Sequence, residues 1–287
     1  MSDRGPLDHP LVRKVGRSVN TALRSAGVEL RRTGPPGPPP EPAAAHEPAA
    51  AHEPAVVDPL STDLLRTDDE NRATYAVGAR RVVERHAGQT REDVELLRKR
   101  YAEPLFGRVR VWELVERLGA CVDPSDERLY CASQLVHVRQ ILDEMEADGT
   151  ATPPMVLVAL LHDLGKLLLL TGEDPANVVC MNSPVGDNPE GAGLDRAVLQ
   201  WNHDELAFQR LDGLIPDDLA WLIRYHSLEV DDARHLMDAT DLERVDRLLR
   251  PFAHYDHATK SPYHLPTTPL SAYRDVIEEA FPDPILF

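Results

Sequence analysis

An all-α fold is predicted from about residue 68 to the C-terminus, on three observations. Apolar residues recur at helical spacing nearly throughout this stretch. Period-two alternation bounded by turn signals, the mark of strands, is nearly absent. The run Met155–Leu170, "MVLVALLHDLGKLLLL", is apolar on almost every face, as a helix enclosed by a core must be. Its length is that of a core helix rather than a membrane span. Yet His162, Asp163 and Lys166 stand in its middle. An unpaired ionised carboxylate buried there costs several kcal/mol or more, so Asp163 must be neutralised, ion-paired or bound to a metal.

Taken in chain order, the elements begin with "HPLVRKVGRSVNTALRSAGVELRR", which reads as a short basic amphipathic helix. Leu11, Val12, Val15, Val19 and Leu23 fall near one face, with Arg13, Lys14, Arg17 and Arg24 around it. Residues 33 to about 60 form a proline- and alanine-rich tract with a repeated HEPAAA unit, too poor in apolar surface to offset the entropy of ordering. His46 and His52 in that repeat read as solvated linker residues rather than a metal site. Residues 1–67 are therefore expected to be a disordered arm, and 68–287 a single domain. Helices are expected at 73–101, 108–119, 129–147, 154–171, 194–211, 216–228, 240–249 and 269–280. Gly172 stands where the apolar helix needs a stop, and opens a long Gly/Pro/Asn loop, 172–193, of the kind that binds ligands or covers sites.

Composition narrows the function. The 287 residues carry 31 basic and 48 acidic side chains, a formal charge of −17, which argues against a nucleic-acid partner. Three cysteines without paired C-x-x-C spacing make neither a disulfide framework nor a thiolate zinc site, and predict a reducing, cytoplasmic setting. No transmembrane segment and no secretory signal are read, and a monomer is the default expectation.

Several histidines sit on or at the ends of predicted helices beside acidic residues. His137 lies in "SQLVHVRQIL", His162 and Asp163 in the apolar helix, His203 in "LQWNHDELAF", His226 in "AWLIRYHSLEV" and Asp256 in "PFAHYDHATK". Any one alone reads more simply as a hydrogen-bonded core residue. Together, four imidazoles and two carboxylates form a nitrogen–oxygen donor set suited to two first-row transition ions. Asp163, adjacent to a ligand histidine, is the natural bridge.

The order His…His-Asp…His…His…Asp is the signature of the dinuclear HD-domain superfamily, whose metal site lies inside a helical bundle. Within it, "LLHDLGK", "SPVG", "GLDR", "WNHDE", "IRYHS" and "YDHATK" follow one another in order, with "DPSD" before His137 and "DPILF" at the end. Together they closely resemble the myo-inositol oxygenase family over roughly residues 80 to 287. The resemblance implies a mixed-valent pair of irons, Fe2+/Fe3+. His137, His162, Asp163 and Asp256 would hold the first, and Asp163, His203 and His226 the second. It implies an oxygen-dependent opening of a cyclitol ring, myo-inositol to D-glucuronate, or oxidation of a related vicinal diol. It implies Lys166 as a catalytic and substrate-binding residue, with Asp123, Ser125, Ser227 and Lys260 as further substrate contacts. Asp204 and Glu205 are expected to support the ligand imidazoles from outside.

Two departures qualify the substrate. Cys180 and Met181 stand where the family places a glycine and an aspartate, which suggests a partly apolar pocket; charged hydrogen bonds of the lost kind are worth about 1.5–3 kcal/mol each. The family's N-terminal substrate arginine and tyrosine have no clear counterpart beyond Arg72. The competing reading is an HD-type metal-dependent phosphohydrolase, which calls for more basic residues around the ligands than this chain has. A non-catalytic helical binding module would leave the six-ligand set a coincidence.

Overall fold

The computed structural model describes residues 68–287. The basic helix, the proline–alanine tract and His46 and His52 lie outside the described residues. The fold is all-α, as expected.

The first expected helix is two, α1 (Asp68–Ala87) and α2 (Arg91–Arg100). The chain breaks at Gly88, and Thr90 then caps α2 in a reciprocal box: its hydroxyl accepts from Asp93 N–H while Asp93 accepts from the Thr90 N–H at 2.8 Å. A two-residue strand β1 (Arg108–Val109) pairs antiparallel with β2 (Ile285–Leu286), and the C-terminal Phe287 is buried beside it. Helices α3 (Val111–Arg117), α4 (Gln134–Ala147) and α5 (Pro153–Leu161) follow, α5 entered through prolines whose missing N–H costs nothing in the first turn. Every residue from Val156 to Leu161 is buried, so beyond its first turn α5 has no solvent face. Each fully buried Val or Leu is worth about 1.5–3 kcal/mol.

The expected helix 154–171 changes form in its middle. The α-helix stops at Leu161, and a 3-10 helix runs from Leu164 to Thr171, ended by Gly172 in the left-handed region at φ +83°. Pro153–Thr171 is long and apolar enough to cross a membrane by length and composition, but most of it is buried in the core. Helices α6 (His203–Leu211), α7 (Asp217–Tyr225), α8 (Val230–Ala233), α9 (Ala239–Arg244), α10 (Arg250–Ala258) and α11 (Arg274–Ala280) complete the bundle. A π-helical segment, Val245–Leu249, joins α9 to α10. The expected helix 194–211 is helical only from His203, apart from one turn at Leu194–Arg196. Residues 183–185 and 198–200 instead bond each other: Val185 N–H to Val198 O at 2.8 Å and Gln200 N–H to Ser183 O at 2.9 Å. This tertiary pairing satisfies the backbone groups a helix would have satisfied, and overrides the local periodicity.

Helix α6 packs on α7 and on Leu164–Thr171; α5 packs on α4, α7 and α11; α10 packs on α4. The end of α5 is thereby enclosed from every side. A smaller cluster, with Tyr101 stacked on Trp201 at 5.2 Å, anchors the long loop against α2.

A candidate metal centre at the end of the apolar helix

Two histidines reach the centre by the same local device. His162 caps the C-terminus of α5, and His226 caps that of α7. Each donates its Nδ1–H to the carbonyl three residues earlier, His162 to Ala159 at 2.9 Å and His226 to Ile223 at 2.8 Å. Those carbonyls belong to the last turn, which has no helical partner for them. The bond also fixes the tautomer and aims the bare Nε2 inward, the role that outer carbonyls play for ligand histidines.

His203 opens α6 behind its cap Asn202. Its Nε2 lies 3.1 Å from Asp163 Oδ1, 3.0 Å from Asp204 Oδ1 and 3.2 Å from His226 Nε2. On the other side, His137 Nε2 lies 2.8 Å from Asp256 Oδ1, and His162 Nε2 lies 3.4 Å from Asp163 Oδ2. Asp163 thus turns one oxygen to each group of histidines. All six expected ligands meet at one buried place.

Their proximity carries an electrostatic problem. Five carboxylates (Asp123, Asp126, Asp163, Asp204, Asp256) are buried with two ammonium groups, those of Lys166 and Lys260. With neutral imidazoles, three negative charges are uncompensated. Burial pushes the His162 imidazole down to about 3, with His226 and His137 adding to the effect against Asp163 and Asp256. Burial also works against charge on His203 and His226, yet the Asp204 carboxylate beside them draws both above the ordinary histidine range. Burial opposes ionisation of Asp163 and Asp256, but Lys166 and Lys260 respectively hold them well below the usual carboxylate range. His162 Nε2, Asp204 Oδ1 and both oxygens of Asp163 are buried without a hydrogen-bond partner.

The donor set fits metal. The ligand atoms of His137, His162 and Asp256 lie within 4.8 Å of one another, and so do those of His162, Asp163 and His226. The same holds for Asp163, Cys180 and His203, and for His203, Asp204 and His226. Orphaned lone pairs and surplus negative charge are what cations would satisfy.

A cavity of about 320 Å³ opens onto this centre, lined among others by Cys180, His226, Ser227, Asp256 and Lys260. Of the expected substrate contacts, Ser227 and Lys260 line it. Lys166 does not: its ammonium is fully buried, donating to Gln134 Oε1 at 2.9 Å between Asp123 at 3.2 Å and Asp163 at 3.3 Å. Asp123 and Ser125 also stand off the cavity, the Ser125 hydroxyl bonded to Asp123 at 2.6 Å. Arg72 sits at the surface, donating to the Tyr263 hydroxyl and stacking over Tyr130, and does not reach the cavity. Cys180, not Met181, faces the cavity, whose apolar wall comes from Leu228, Val230, Leu249 and Ala253.

Of the two residues expected to support the imidazoles, Asp204 lies against them, 3.0 Å from His203 Nε2 and 3.6 Å from His226 Nε2, and Glu205 is corrected. Asp204 Oδ2 accepts from the Ser227 hydroxyl at 2.5 Å, which leaves Oδ1 facing His203 Nε2. Glu205 touches no imidazole; it pairs with Arg224 at 2.8 Å and Arg98 at 3.2 Å. Sequence reasoning also missed Asp126, which binds Lys260 at 2.9 Å and is drawn down to about 2 by that lysine despite burial working against it. Its signal was present in the second aspartate of "DPSD".

The family model described as Myo-inositol oxygenase matches residues 78–189 and 176–287. Inositol oxygenase 1 of Arabidopsis thaliana is 31% identical over 215 residues, 61% of this chain and 68% of its own. Probable inositol oxygenase of Oryza sativa subsp. japonica is 30% identical over 237 residues, 69% of this chain and 76% of its own. Inositol oxygenase of Sus scrofa is 29% identical over 217 residues, 61% and 74% of the two chains.

Proposed function

The chain belongs to the myo-inositol oxygenase family, and from that membership we propose that it opens a cyclitol ring with dioxygen, converting myo-inositol to D-glucuronate. We assign the cofactor as two irons, one held by His137, His162, Asp163 and Asp256 and one by Asp163, His203 and His226. What supports this most is the meeting of four imidazoles and three carboxylates, with unpartnered donor atoms, beside a cavity large enough for a small polyol. Bound there, the ions supply Lewis acidity toward hydroxyl oxygens and the electrons dioxygen chemistry requires.

The chain's own residues bind and orient. Lys260 spends two of its three N–H bonds on Asp126 and Asp256, and the third is free for a substrate oxygen. Ser227 donates to Asp204 and accepts from Asn202 Nδ2 at 3.3 Å, so its remaining lone pair accepts from a substrate hydroxyl. Leu228, Val230, Leu249 and Ala253 keep water away from one side of the reacting carbons. Lys166, enclosed behind the centre, positions Asp163. The phosphohydrolase alternative is not favoured: at the cavity Glu229, Asp231, Asp232 and Asp256 outnumber Arg128, Arg250 and Lys260, a poor balance for a phosphoester.

We further assign 68–287 as one catalytic domain, and a reducing cytoplasmic setting in keeping with three free cysteines. The test is dioxygen uptake by anaerobically iron-loaded full-length protein on adding myo-inositol, with mass spectrometry of the product. Uptake with D-glucuronate is expected. Two bound irons with neither uptake nor product would overturn myo-inositol as substrate.

A further inference from the structure

Cys180 stands where nothing in the assigned centre requires a sulfur, yet it stands among the ligands. Its Sγ lies 3.8 Å from His203 Nε2, and its sulfur, His203 Nε2 and an Asp163 oxygen all fall within 4.8 Å of one another. Metal–sulfur and metal–nitrogen bonds of about 2.3 and 2.1 Å at a tetrahedral angle separate the two donors by roughly 3.6 Å. The observed spacing is that of two donors to one ion, and in the metal-free chain it also admits a long thiol–imidazole hydrogen bond. Asp163, the third member, is fully buried with neither oxygen hydrogen-bonded.

The placement of the thiol is built rather than incidental. Asn202 Nδ2 donates to the carbonyls on either side of Cys180, at 3.2 Å to Val179 and 3.0 Å to Met181. His86 Nε2 lies 2.8 Å from the same Met181 carbonyl. The next residue is held too, Asn182 N–H donating to Ser227 O at 3.1 Å. The loop is thus tied to α6 and to the residue after His226, two of the elements that carry the second group of ligands. The other cysteines are elsewhere: Cys121 is buried against the backbone carbonyls of Arg117 and Lys166, and Cys131 is exposed.

We propose that Cys180 is a thiolate ligand to the second ion, joining Asp163, His203 and His226, so that this half of the centre is a mixed nitrogen–oxygen–sulfur site. The proposal rests on the dinuclear reading of the centre. On binding, one metal–sulfur bond forms, the S–H bond breaks and its proton leaves to solvent; nothing is oxidised or reduced. Sulfur softens the site and raises its preference for zinc and cobalt over harder ions.

The test uses the full-length protein, stripped of metal and titrated anaerobically with cobalt(II), with bound cobalt counted and the near-ultraviolet spectrum recorded. The expected result is a sulfur-to-cobalt charge-transfer band in the two-cobalt protein. It should vanish in C180S and C180A and persist in C131S, while zinc binding to one of the two sites weakens at least about tenfold in C180A. Two bound cobalts without the band, or a band that survives in C180A, overturn the proposal and leave the dinuclear centre standing. Failure of the unsubstituted protein to bind two ions overturns both.

Discussion

The two halves of the centre are built from the same residue types and behave in opposite ways. His137 and His162, with Asp256, sit on helices or at a helix end, and burial holds both imidazoles below the ordinary range. His203 and His226, equally buried, are drawn above it by Asp204, whereas in the first half Lys260 pairs with Asp256 and works with burial against charge on His137. The cavity reaches the first half only through Asp256, and the second through Cys180, His226 and the adjoining Ser227. Helices therefore make a closed half poised as neutral donors. A loop and two helix ends make an open half rich in negative charge, where ligands and substrate compete for the same space.

The largest blow to this division is Asp163→Ala, which removes the one side chain facing both halves. Metal analysis should find both ions lost, with dioxygen uptake at background. A variant that keeps one ion at full occupancy would show the halves to be independent. Gly165→Ala should separate them, because a Cβ there would run into the backbone of His203. The variant should lose one ion, keep the other and unfold about 3 kcal/mol more easily, as forced overpacking does; two retained ions would refute the asymmetry.

Next in size is the response to pH, read by denaturant unfolding of metal-free protein. His162 has a folded pKa below its unfolded value, so the unfolded chain binds more protons between about pH 3 and 6.5. Its contribution to stability is complete above about 6.5 and is lost as pH falls through that window. His203 has the reverse sign: its contribution is complete below about 6.5 and is lost as pH rises through its elevated folded value. His162→Gln should flatten the acid slope, and His203→Gln the alkaline one. Like-signed effects in the two variants would erase the contrast. The smallest effect on the centre is expected of Glu205→Ala, which breaks a largely buried pair with Arg224 and a second with Arg98. Arg224 keeps Asp195, so a loss of about 3 kcal/mol with both ions retained is expected from thermal melts and metal analysis; a lost ion would restore Glu205 to the centre.

The closed half was the more legible in sequence. Helical periodicity located α4 and α5, and His137, His162 and Asp163 stood out as polar groups on apolar faces. The switch from α to 3-10 after Leu161 was not legible, since both helices place apolar residues at similar spacings, and neither was the close passage of Gly165 by His203. The open half was harder. His203 and His226 were visible, but the histidine-facing oxygen of Asp204 depends on Ser227 taking the other, a contact across 23 residues. The extended run before His203 was mistaken for helix because its pairing partner, 183–185, comes from another part of the loop. Cys180 read only as a departure from the family pattern, for its neighbours in space are set by Asn202.

The capping imidazoles of His162 and His226 offer a rule for protein engineering. A buried helix that stops at a histidine can orient that ring with its own last turn, needing no second side chain to hold it. Such a terminus is a transferable module of four residues. Two of them pointed at a shared carboxylate would furnish a new bundle with the beginnings of a binding site before any ion is supplied.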